Sequence, residues 1–155
     1  TLGYFLNPNK RGDDSATRFG RSTLAQVAPD ALIFTPKPSD QEAYVVLRYV
    51  QLIEKLRPDV RLELLLFEPG DDMAQVVLAM VQEQRDCRPL YLASLHSHTY
   101  PLPVLERDFD IVPEANLFRL VPRQSKPALS PCTDFEGRRQ NLSPEELIRR
   151  AMRWQ

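Results

Sequence analysis

A chain of 155 residues, 43% hydrophobic and 26% charged, is long enough for one domain with a real core, and its composition excludes disorder over the whole length. Lys and Arg number 20 against 21 Asp and Glu, so no overall field draws phosphate backbones, which disfavours a dedicated nucleic-acid binder. No apolar run reaches the roughly 20 residues that a bilayer span needs.

Residues 1–14 carry Asn7, Pro8, Asn9 and Gly12, which favour turns, and read as an arm or linker. From Ser15 the spacing of Phe19, Leu24 and Val27 predicts a weak helix that Pro29 ends. Ala31-Leu32-Ile33-Phe34-Thr35, between Pro29 and Pro36, predicts a buried strand. Ser39 and Glu42 form a capping box, and Val46, Tyr49, Val50, Ile53 and Leu56 then repeat at helical steps until Pro58. Residues 60–67 predict a second buried strand, stopped by Pro69-Gly70. Asp71 or Asp72 caps a helix whose apolar set is Met73, Val76, Val77, Met80 and Val81, and residues 90–95 predict a third strand after Pro89.

The order strand, helix, strand, helix, strand predicts an α/β fold with a three-layer, mostly parallel, Rossmann-like sheet, because parallel neighbours need a long return. Seven of the 14 prolines lie at or beyond Pro101, and no further long helix is expected before Ser143. Residues 109–112 and 117–121 flank Pro113-Glu114-Ala115-Asn116 and predict a β-hairpin that extends the sheet. Residues 15–122 thus form the domain. Residues 123–155 read as a proline-rich loop and a short helix that starts at the capping box Ser143-Pro144-Glu145-Glu146 and packs on the same domain.

Candidate ligand residues gather where parallel sheets place ligands, at the carboxyl edge. After strand one stand Lys37, Ser39, Asp40 and Glu42; after strand two Glu68, Asp71 and Asp72; after strand three His96 and His98. Converging carboxylates there could hold a divalent ion or act as acid and base. Helix capping accounts for Ser39 and one aspartate with no ligand at all, and the histidines lack an identifiable third metal ligand. The five glycines form neither GxGxxG nor GxxxxGK, so no phosphate loop, catalytic residue, metal or cofactor is assigned. Cys87 and Cys132 have no metal-site spacing; a disulfide in an oxidising compartment and two separate thiols are equally open. The last segment sets Leu147, Ile148, Ala151 and Met152 opposite Arg149, Arg150 and Arg153, a face suited to packing on the domain or, less well, to a membrane surface.

Several segments in order resemble the C-terminal region of multi-span membrane proteins related to protein O-mannosyltransferases, within the superfamily-C glycosyltransferases. They are residues 7–15, LAQVAPDALIFT at residues 24–35, Tyr49-Val50-Gln51, Arg57-Pro58-Asp59-Val60, Arg88-Pro89-Leu90-Tyr91-Leu92-Ala93, Val112-Pro113-Glu114 and Phe118-Arg119-Leu120-Val121-Pro122. The family's acidic turn after strand one is replaced by Pro36-Lys37-Pro38-Ser39-Asp40, which leaves Asp40 and Glu42 as the acidic candidates there. The resemblance implies a polyprenyl-phosphate sugar donor, a catalytic carboxylate between membrane spans outside this chain, and a soluble domain on the extracytoplasmic face. Its expected partners are the transmembrane part of its own chain, the lipid-linked sugar, and a protein or glycan acceptor. The chain opens at Thr1, which suits a piece of a longer protein. The expected role is therefore non-catalytic support or acceptor docking for a membrane glycosyltransferase. The alternative is a free-standing α/β enzyme or ligand-binding module that uses the carboxyl edge.

Overall fold

The computed structural model describes residues 14–36, 40–65, 72–97 and 99–124. The arm, the loop beyond Gln124, the terminal helix, Lys37, Ser39, Glu68, Asp71, His98 and Cys132 lie outside the described residues. Among the described residues nine elements follow in order: α1 (Ser15–Gln26), β1 (Leu32–Pro36), α2 (Gln41–Glu54), β2 (Arg61–Leu65), α3 (Met73–Gln84), β3 (Leu90–Leu92), α4 (Leu102–Asp108), β4 (Phe109–Glu114) and β5 (Leu117–Pro122).

The strands form one sheet in the order β2-β1-β3-β5-β4. β1 is parallel to both β2 and β3, with Ile33 opposite Leu62 and Tyr91, and β5 then runs antiparallel to β3 and β4. The α/β reading of the sequence holds, with the hairpin added where it was expected. β1 is buried along its whole length because both of its faces are covered. Ile33, Leu62, Leu64 and Tyr91 pack with Tyr44, Leu47 and Val50 of α2 and Leu24 of α1. Leu32, Phe34, Leu65, Leu90 and Leu92 pack on the other side with Val77, Met80 and Val81 of α3 and Leu105 of α4. Helices on both faces give three layers.

Three expectations are corrected. The apolar stripe on α2 was placed one flank too far round: Tyr49 is 51% exposed and Ile53 63%, whereas Ala43, Tyr44, Leu47, Val50 and Gln51 are buried. The cause is α1, which crosses α2 at Gly20; a Cβ there would stand 2.7 Å from Val50 Cγ2 and 3.3 Å from Val46 Cγ1. With one flank of α2 on the sheet and the next on α1, positions 49, 53 and 56 face outward. Second, the capping residue of α2 is Asp40, whose side chain makes no capping hydrogen bond.

A short helix of seven residues, α4, stands among the prolines beyond β3, where only a long helix was excluded. Pro101 caps α4 and Pro103 sits in its first turn, where backbone N–H groups have no helical partner, so the missing donor costs nothing. Third, the hairpin is tighter than the spacing predicts. β4 runs through Pro113 to Glu114, and Ala115 and Asn116 alone make the turn, with φ of 57° and 64°, the pair of left-handed residues that matches strand twist.

Candidate functional site

β1 lies between β2 and β3, the helices that follow β1 and β3 (α2 and α4) cover opposite faces of the sheet, and the carboxyl ends of these two strands adjoin at the point where α/β sheets place ligands. Asp40 arrives there because its N–H bonds back to Pro36 O at 2.8 Å, which folds the corner against the end of β1. Beyond β3 the N–H groups of Thr99 and Tyr100 bond to His96 O at 3.0 and 2.9 Å. Two hydroxyls then converge on one buried carboxylate oxygen: Tyr100 donates to Asp40 Oδ2 at 2.5 Å and Ser94 donates to it at 3.0 Å. Tyr100 is fully buried, and its hydroxyl also approaches Phe34 O at 3.4 Å. Burial first, and then the Asp40 charge, push the phenol far above its ordinary range, so it stays a proton donor. This arrangement ties the β1–α2 corner to the β3–α4 loop; it holds Asp40 as an acceptor of two hydroxyls.

The other predicted residues divide. Asp72 caps α3 by accepting from Gln75 N at 3.3 Å, the capping role expected for one of the aspartates. Glu42 sits partly buried in the first turn of α2, where a carboxylate suits the helix dipole. His96 is exposed and contributes its carbonyl to the turn. Ser39, Asp71 and His98 lie outside the described residues. Among the described residues no group of three His, Cys, Asp or Glu side chains is placed to hold a metal ion. Ser94 and Tyr100 escaped sequence reading. Ser94 sat inside the predicted third strand and Tyr100 in no periodic pattern, and only the turn at His96 brings them to Asp40.

A second polar network locks the opposite end of the sheet. The Arg57 guanidinium donates through Nη1 to Leu24 O and Val27 O at 2.7 and 3.0 Å, and through Nη2 to Ala28 O at 3.2 Å. It thereby closes the carboxyl end of α1, whose last carbonyls have no helical partner. The same guanidinium grips Asp59 in a fork, with both bonds at 2.9 Å, and Asp59 accepts in addition from Asp30 N at 3.0 Å. Gln51 donates to Arg57 O and Val60 O at 3.1 and 2.8 Å, which fixes the tight turn between α2 and β2. Tyr91 adds a third tie: its hydroxyl accepts from Ala28 N at 3.1 Å and donates to Glu114 at 2.5 Å.

Arg57, followed by the Asp30 N–H, holds the Asp59 carboxyl far below its ordinary value of 3.8. A carboxyl depressed in the folded state contributes stability that is complete above its unfolded value and disappears as pH falls through the folded one. Urea midpoints measured from pH 6 down to pH 2 should therefore decline from about pH 4. Asp59→Asn should be less stable at pH 6 and show a shallower decline; parallel curves for the two proteins would remove Asp59 as the source.

Among the described residues no helix is long and apolar enough to cross a membrane. In comparisons with known proteins, no family model matches the chain, and neither a curated protein nor a solved structure matches it.

Proposed function

We propose that this chain is an extracytoplasmic, non-catalytic domain of a membrane glycosyltransferase that uses a lipid-linked sugar donor, and that it supports the enzyme or docks its acceptor. The observation that carries this reading is the Arg57 lock. Residues 24–35, Tyr49-Val50-Gln51 and Arg57-Pro58-Asp59-Val60, three of the resembling segments, meet in it through Leu24, Val27, Ala28, Gln51 and Asp59. Segments that are distant in sequence but joined in one structural element are what a shared scaffold, rather than a shared active site, requires.

Two further observations support it. Cys87 is disulfide-bonded, a state that persists in oxidising compartments outside the cytosol. Among the described residues, Asp40 and Asp72 at the carboxyl edge of the sheet are engaged in tying and capping the frame.

The test joins gene and activity. The full-length gene should encode about ten apolar spans, each of roughly 20 residues, upstream of Thr1. Membranes that hold the full-length protein should transfer sugar from a polyprenyl-phosphate donor, and the isolated domain should neither transfer nor hydrolyse it. Turnover of a sugar phosphate or glycoside by the domain alone, or a gene without upstream spans, would overturn the proposal.

A further inference from the structure

A cavity of ≈ 360 Å³ opens between the turn that follows α3 and the end of β5, at the edge of the sheet remote from Asp40. The place follows from register: Leu90 begins β3 and pairs with Leu120, so residues 85–89 and 120–122 border the same edge. Three arginines, Arg85, Arg88 and Arg119, line it against one carboxylate, Asp86.

Two of the guanidiniums are held in position. Arg85 lies over the Phe109 ring, 5.2 Å from its centre, and donates through Nη2 to Gln124 O at 3.1 Å. Arg119 lies 5.9 Å from the centre of the Tyr91 ring, with Glu114 at 3.4 Å. Arg85 Nε is buried and makes no hydrogen bond, and the Asp86 carboxylate stands 3.6 Å from it, beyond hydrogen-bond reach. Planar guanidiniums fixed by ring stacking lose little freedom when they bind, and their forked donors match the tetrahedral oxygens of a phosphoryl group. The volume lies in the range of roughly 300–1,000 Å³ typical of small-ligand sites, more than a lone oxyanion fills.

We propose that this cavity binds a phosphoryl group, carried either by a small phosphate ester or by a lipid headgroup. The site does not depend on the attachment of the domain to a membrane enzyme, and failure of either reading leaves the other standing.

The experiment titrates the oxidised full chain with inorganic pyrophosphate in a calorimeter. In parallel the chain is sedimented with phosphatidylcholine vesicles that contain or lack phosphatidic acid. Pyrophosphate should bind, Arg88→Glu should weaken it at least tenfold, and Arg88→Gln should lie between. Arg18→Glu makes the same change of charge on the exposed face of α1 and should leave binding as it was. If Arg88→Glu fails to fold by circular dichroism, Arg88→Gln carries the comparison. Arg88-dependent sedimentation with phosphatidic acid, displaced by pyrophosphate, identifies a headgroup as the source; pyrophosphate binding without sedimentation identifies a free ester. No heat at pyrophosphate concentrations on the order of 1 mM, equal losses in the Arg88 and Arg18 variants, or sedimentation indifferent to both Arg88 and pyrophosphate would each overturn the proposal.

Discussion

Arg57→Ala should lower the stability of the domain by about 3 kcal/mol, a large share of the roughly 5–15 kcal/mol typical of a domain. The arginine supplies donors to Leu24 O, Val27 O and Ala28 O and holds both oxygens of Asp59. Its removal strands the end carbonyls of α1 and leaves Asp59 without its cation. The side chains of Arg57 and Asp59 are 25% and 33% exposed, so water recovers part of the loss and the effect stays below the sum of five charged bonds. Arg57→Lys should cost less, about 1–2 kcal/mol, since an ammonium keeps the charge but cannot reach three carbonyls and a carboxylate from one plane. Urea unfolding decides the matter: the midpoint should fall while the slope is unchanged. An alanine variant within about 0.5 kcal/mol of the parent, the usual range of a neutral surface change, would show that the lock is ornamental.

At the other edge, Tyr100→Phe should destabilise by about 2 kcal/mol, because it deletes one hydroxyl donor from a carboxylate that is only 6% exposed. Tyr100→Ala should cost more, about 3–5 kcal/mol, as the ring is fully buried among Phe34, Leu92 and Leu105. Asp40→Asn combined with Tyr100→Phe should cost less than the two single changes together, since each alone strands the other's partner. The pH response gives an independent reading. A phenol held well above its ordinary value of 10.0 contributes stability that is complete below that value and lost as pH rises through the folded one. The parent should therefore weaken above about pH 10, with Tyr91, also raised, sharing the effect, and Tyr100→Phe should show a shallower alkaline decline. A phenylalanine variant as stable as the parent at pH 7 would mean that the Asp40 cluster contributes nothing.

The elements of this protein were legible where local chemistry decides them. The all-apolar run at β1 marks a strand covered on both faces, the prolines at 29 and 36 bound it, and Asp72 caps α3 as its residue type suggests. The alternation of strand and helix over residues 31–92 also gave the parallel sheet, because a parallel return needs a helix. The flank of α2 that is buried was not local information: Val46 and Val50 belong to two apolar stripes, and the crossing of α1 at Gly20 selects between them. Nor was the fate of Asp40. A buried carboxylate takes whatever donors the fold delivers, and Tyr100 and Ser94 reach it from 60 and 54 residues away. Periodicity and capping act over a few residues of chain and are written in the sequence; the partner of a buried polar group is set by long-range packing, and only the tertiary structure determined it.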